Sequence, residues 1–145
     1  MKLDNYTVLE FPSRSANEGF ARTVAACFAA QLDPTLEEIN DIKTAVSEAV
    51  TNAIVHGYPD RIGKISMKLR IKEDRVLEII IRDWGTGIAD VAQARVPMFT
   101  TGGEERSGMG FTIMESFMDN LKVRSELGKG TTVTMKRRIA CRVCK

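Results

Sequence analysis

Glu48, Asn52 and His56 stand four residues apart in a stretch whose apolar members are Ile39, Ile42, Val46, Ala49, Val50 and Ala53. On a helical wheel at about 100° per residue the apolar set fills an arc of about 140°, and the polar three form a stripe outside it. Glu48 falls opposite the centre of the buried arc, and His56 drifts towards its flank. A carboxylate, a carboxamide and an imidazole in one line have the chemistry for a proton acceptor, a ligand to a hard metal ion and a phosphate contact. A solvated helix face has the same composition, so the stripe alone leaves both readings open.

Asp83 closes an apolar run and opens Asp83-Trp84-Gly85-Thr86-Gly87. The two glycines let the backbone turn sharply and come close to a flat ligand. The Asp83 carboxylate suits an exocyclic amine such as adenine's, or the capping of a turn. Trp84 is expected to pack or lie exposed rather than stack on a base. Arg106-Ser107-Gly108-Met109-Gly110-Phe111 puts two glycines at a predicted helix start. Free backbone N–H groups there, with an arginine beside them, make a seat for phosphate or an ordinary glycine-rich N-terminus. Gly130-Thr131-Thr132 reads as the end of a hairpin turn followed by β-forming threonines.

Residues 83–110 hold six of the 11 glycines, yet the familiar nucleotide spellings are absent. Gly128-Lys129 is followed by Gly130 and no glycine stands five positions before Gly128, which excludes a P-loop. Gly85 and Gly87 are followed by Asp90, and Gly108 and Gly110 by Ile113, which excludes the dinucleotide fingerprint.

These residues have to be positioned by a chain of 145 residues, the size of one domain with its own core. At 43% hydrophobic and 28% charged it has an ordinary globular composition. It has no apolar run of membrane-spanning length and no signal-peptide pattern, so a cytoplasmic protein is expected. Lys136, Arg137, Arg138, Arg142 and Lys145 concentrate positive charge near the end of the chain. Without interleaved aromatics or helical patterning they read as a solvated terminus, with one domain over 1–137 and a basic tail over 138–145. Cys27 sits in an apolar helical pattern and is expected in the core. Cys141 and Cys144 form a lone C-x-x-C, and with one histidine in the chain no four-ligand zinc site is expected, so the pair is read as tail.

Tyr6 to Phe11 reads as a strand. Ser15 and Glu18 have capping-box spacing before a helix through Phe20, Val24, Cys27 and Phe28. Asp33-Pro34 offers an N-cap and first helical residue for a second helix to His56. Ile65, Met67, Leu69 and Ile71 alternate with polar residues as a half-buried strand, and Val76 to Arg82 follows as a more buried one. A short helix is expected from Gly108, then a hairpin of Leu121–Leu127 and Thr131–Arg137. The order points to an α/β (α+β) two-layer sandwich, a mixed sheet with helices on one face.

In chain order, Glu48-x-x-x-Asn52 on a helix, Asp83-x-Gly85-x-Gly87 after a strand, Gly108-x-Gly110 opening a helix and Gly130-Thr131 between strands form one series. The series resembles the Bergerat ATP-binding fold of sensor histidine kinases, gyrase-type ATPases and certain heat-shock chaperones. In that superfamily the four boxes line one pocket, and the segment between the second and third is a lid. A histidine kinase needs a phosphoacceptor histidine on a separate helix, whereas His56 lies inside the first box. Gyrase-type ATPases carry a second domain, for which only a short tail would remain here. Ser47 to Tyr58, together with Arg106 to Asp119, is similar to the small bacterial anti-sigma-factor serine kinases of sporulation. The chain differs from that pattern in a shorter, glycine-rich lid ("TTGGEER") and in its basic tail.

The resemblance implies ATP and Mg²⁺ as cofactors, with Asn52 as the metal ligand and Glu48 as the catalytic base. It implies that Asp83, with Thr131 or Thr132, reads adenine near Gly85 and Gly87. Arg106, Ser107, Gly108, Met109, Gly110 and Phe111 would surround the phosphates, with Thr100 and Thr101 in the lid and His56 as an outer phosphate contact. Implied partners are a sporulation sigma factor, which the protein would sequester, and an anti-anti-sigma factor carrying the acceptor serine, with Arg22 on the binding face. A homodimer is implied, and neither nucleic acid nor membrane is. A nucleotide-sensing sigma-binding module without kinase chemistry is the alternative.

Overall fold

The protein is described from a computed structural model over residues 4–95 and 110–140. Alternation in β2 (Lys64–Lys72) is realised residue by residue: Ile65, Met67, Leu69 and Ile71 are wholly buried, while Ser66, Lys68 and Arg70 face the other way. β2 lies between β1 (Asn5–Pro12) and β3 (Val76–Asp83), and the sheet is completed by β4 (Asn120–Glu126) and β5 (Gly130–Arg138) in the order β1-β2-β3-β5-β4. Helices α1 (Ala16–Ala29), α2 (Leu36–Asn52) and α4 (Gly110–Phe117) cover one face, and a short α3 (Val91–Ala94) follows the glycine turn.

The two-layer architecture is as expected, but the sheet is not mixed. All four pairings are antiparallel. Two helices in succession between β1 and β2 return the chain to the end it left, so Pro12 pairs with Lys64 and β2 runs back along β1. β3 and β4 share a direction, but β5 lies between them.

α1 buries Ala21, Ala25, Phe28 and Ala29, and the small side chains let it approach α2 closely. That places Cys27 on the exposed side with Phe20, not in the core. Ser15 precedes α1 in a helical conformation and makes no side-chain cap; Glu18 instead faces Arg22 at 3.5 Å. The capping box belongs to α2. Thr35 Oγ1 accepts from the Glu38 N–H at 3.1 Å, and Glu38 Oε1 accepts from the Thr35 N–H at 2.8 Å. Asp33 is left-handed (φ 48°), whereas Thr35 has the extended backbone an N-cap requires, so the helix starts two residues later than its sequence suggests.

The basic end of the chain is not a solvated tail through residue 140. Arg137 on β5 pairs with Asp41 at 2.9 Å, and Arg138 with Asp74 at 3.2 Å. Ile139 is wholly buried with its N–H on the Arg75 carbonyl, and the Ala140 N–H donates to Glu38 Oε2. Burial alone would raise the Glu38 pKa. Hydrogen bonds from Thr35 and Ala140 and the Arg137 charge outweigh it and hold the carboxyl below its ordinary value. Cys141, Arg142, Cys144 and Lys145 lie outside the described residues.

Candidate active site

α2 ends in a π turn, Ala53–Gly57. A wider turn advances less than an α-helix per residue, which offsets the drift of His56 away from the line of Glu48 and Asn52. All three are half-buried. The turn delivers Gly57 against the end of β3, where Asp83 is 5% exposed. The Gly57 carbonyl accepts from the Thr86 N–H at 2.8 Å and from the Thr86 hydroxyl at 3.1 Å. A Cβ on Gly85 would fall 1.9 Å from the same carbonyl. The glycines of the second box therefore serve the approach of the protein's own backbone: Gly85 packs on Gly57, and Gly87, at φ 78°, packs on the Glu126 carbonyl.

Asp83 Oδ1 accepts from the Gly85 N–H at 3.0 Å, and the Thr131 N–H faces the carboxyl as a second, weaker donor. Burial pushes the Asp83 carboxyl above its ordinary value, and these two donors oppose the rise without cancelling it. Tyr58 holds the strand end from behind. Its phenol oxygen accepts from the Trp84 N–H at 2.7 Å and donates to the Lys64 carbonyl at 2.6 Å. Burial raises the phenol's pKa further, so that proton stays in place through neutral pH. The Trp84 ring packs between Lys64 at 4.4 Å and Arg82 at 4.6 Å.

The register of β3 and β5 pairs Asp83 with Thr131 and Arg82 with Thr132. Thr131 thus shares the buried, helix-covered face with Asp83, and Thr132 points to the opposite face beside Arg82 and Arg124. Of the two threonines the sequence offers, only Thr131 can accompany Asp83. Its Oγ1 lies 2.8 Å from Ser125 Oγ on β4. Ser125 also accepts from the Ile88 N–H at 2.7 Å, tying the glycine turn to the hairpin.

Asn52 meets the start of α4, where a Cβ on Gly110 would come within 2.8 Å of its carboxamide nitrogen. The first and third boxes are in contact there. Phe111 is buried in the core, so only its backbone faces outward. Thr100, Thr101, Arg106, Ser107, Gly108 and Met109 lie outside the described residues. Glu48 and Arg22 line one surface hollow of about 240 Å³ between α1 and α2, together with Lys43 and Ser47. Among the described residues no group of three His, Cys, Asp or Glu side chains could hold a metal ion. Mg²⁺ commonly takes one or two protein oxygens and fills the rest with phosphate and water, and the single carboxamide oxygen of Asn52 fits that pattern.

Sequence reasoning missed Tyr58, Thr86 and Ser125. Tyr58 looks like part of a helix stop, and nothing local announces its partners. Ser125 does carry a signal, as the polar member of the face that Leu121 and Val123 begin on β4.

No helix among the described residues is long and apolar enough to cross a membrane. Residues 11–137 match the family described as histidine kinase-like ATPase domain. Solved structures repeat the fold. The histidine kinase domain of a blue-light activated kinase from Erythrobacter litoralis superposes with a TM-score of 0.59 at 20% identity, covering 89% of this chain and 62% of that one. A mycobacterial sensor histidine kinase superposes at 0.56 and 20% identity, covering 70% and 74% of the two chains. Much nearer in sequence is a protein of Clostridium acetobutylicum named anti-sigma F factor, 54% identical over 95% of this chain and 96% of its own. One of the same name from Geobacillus kaustophilus is 58% identical over 91% of each chain. With a family match over residues 11–137 and near full-length likeness to these relatives, the chain belongs to the histidine kinase-like ATPase domain family, among the anti-sigma F factors.

Proposed function

We propose that the protein is an anti-sigma factor that binds a sporulation sigma factor and, using ATP and Mg²⁺, phosphorylates a serine of an anti-anti-sigma partner. The observation that carries the reading is the convergence of Asp83 with Gly57 and Thr131, and of Asn52 with Gly110, around the C-terminal end of α2. It is supported by relatives more than half identical that bear the anti-sigma F name.

In this reading Asp83 accepts the adenine amine and the N-terminus of α4 receives phosphate. Asn52 offers its oxygen to Mg²⁺, which when bound neutralises phosphate charge. Glu48 takes the proton of the serine hydroxyl as its oxygen bonds to the γ-phosphorus. The bond from that phosphorus to the bridging oxygen breaks, and ADP leaves with the electron pair. Most of the catalysis is positioning and charge stabilisation. Arg22 shares a hollow with Glu48, and in this reading the acceptor enters there, so the arginine would orient it. Acting on a sigma factor, the protein would work in the cytoplasm and assemble as a homodimer.

The test uses γ-labelled ATP, Mg²⁺ and the dephosphorylated acceptor, with wild type beside Glu48→Ala. Phosphoserine formed by wild type and reduced by roughly 10²–10⁴-fold in the variant, with ATP affinity retained, is the expected result. ATP binding without any transfer by wild type would remove the kinase and leave a nucleotide-sensing sigma-binding module.

A further inference from the structure

We infer that Ser125 is a positioning residue that fixes Thr131 as a hydrogen-bond acceptor, making the base pocket selective for 6-amino over 6-oxo purines. The inference rests on the nucleotide reading above and goes beyond it in assigning a proton.

Ser125 Oγ has three neighbours: the Ile88 nitrogen at 2.7 Å, the Gly130 carbonyl at 3.0 Å and Thr131 Oγ1 at 2.8 Å. A serine hydroxyl has one proton and two lone pairs. The Ile88 N–H can only donate, and the Gly130 carbonyl can only accept. All three contacts are satisfied together in one way. Ser125 donates to Gly130 and accepts from both Ile88 and Thr131. The proton of Thr131 is then committed, and its oxygen has only lone pairs left to offer.

Thr131 stands across from Asp83 on the covered face of the sheet. Asp83, ionised, is also an acceptor, held in place by the Gly85 N–H. The two side chains together present acceptors and no donor. The 6-amino group of adenine brings two N–H donors to such a wall, directly or through one water. The 6-oxo group of hypoxanthine or guanine brings an acceptor, and acceptors facing one another stay unpaired. Ser125 need not touch the ligand; it acts through the direction of one hydroxyl. A mobile Thr131 hydroxyl, by contrast, would turn to suit either base.

The test is titration calorimetry of the full chain with ATP and ITP and Mg²⁺, on wild type, Ser125→Ala and Ser125→Thr. The expected wild-type preference is for ATP. In Ser125→Ala the Thr131 hydroxyl is released, and the ATP-to-ITP affinity ratio should fall about tenfold. Ser125→Thr keeps a hydroxyl and should hold the wild-type ratio. In a Thr131→Val background the alanine change should leave the ratio where Thr131→Val alone puts it. If Ser125→Ala does not fold, Ser125→Cys, a weak donor and acceptor, is read for the same ratio. Equal weakening of ATP and ITP would overturn the inference, leaving Ser125 as support for the loop at Ile88. So would a wild type that binds both nucleotides equally. Failure of wild type to bind either nucleotide overturns the pocket itself, and the inference with it.

Discussion

A Cβ on Gly57 would lie 2.9 Å from the Cγ and Oδ1 of Asp83, so the last residue of the π turn and the last residue of β3 are in contact with no atom to spare. Gly57→Ala must therefore move the carboxylate or the turn. Overpacking of this kind costs about 1–3 kcal/mol of stability. Displacing Asp83 should also weaken ATP at least about tenfold, more than Gly128→Ala, where φ is 83° and the added Cβ is strained but would meet nothing within 4 Å. Calorimetric titration of both variants checks this, and equal affinities would refute it.

Asp83 links folding stability to pH, because burial favours its protonated form. Burial raises its folded pKa above the ordinary 3.8. Between the two values the native state holds more protons than the unfolded one, so stability falls as pH rises through that window and stays lower at neutral pH. Asp83→Asn should melt higher than wild type near pH 7, and the gain should vanish below about pH 3.8. Its oxygen would be taken by the Gly85 N–H, turning the amide donors towards the adenine amine. ATP affinity should drop by more than about tenfold. Melting curves at both pH values decide; a variant equally destabilised at each contradicts the assignment.

Glu38 behaves in the opposite sense. Its folded pKa lies below 4.5, so its contribution is present above that value and lost as pH falls through the lowered one. Glu38→Gln should cost about 1 kcal/mol near neutral pH, where it weakens the cap and the bond to Ala140. Urea unfolding should show wild type and variant converging under acid conditions.

Arg22 and Glu48 lie in the same hollow but have different proposed tasks. Arg22→Glu should raise the acceptor KM about tenfold with kcat and ATP affinity unchanged, as loss of uniform binding does. Glu48→Gln should lower kcat with the acceptor KM held. Steady-state kinetics with purified acceptor separates the two, and a kcat defect in Arg22→Glu would argue against this division.

Patterns set by one element are legible in the sequence. Ile65, Met67, Leu69 and Ile71 announce β2 by alternation alone, and the glycine boxes declare their order. What stayed hidden depends on how elements meet. Thr131 and Thr132 are adjacent, and a one-residue change of register exchanges their faces; only the pairing with β3 decides which accompanies Asp83. Cys27 looks apolar and helical, but the buried face of α1 runs through Ala21, Ala25, Phe28 and Ala29 and leaves Cys27 outside it. Asp33 is a good N-cap by type, yet its left-handed backbone passes the role to Thr35. The π turn has no local spelling, and the docking of Ile139 depends on Arg75, more than sixty positions earlier.

The position of β5 has a consequence for synthesis. It is the last strand made, yet it lies inside the sheet between β3 and β4. A chain emerging from the ribosome already contains Glu48, Asn52 and Asp83 while β3 still has an unpaired edge and Thr131 is missing from the pocket. The Ala140 N–H, later still, reaches back to the cap of α2. The order of translation thus completes the surroundings of Asp83 only when the sheet closes.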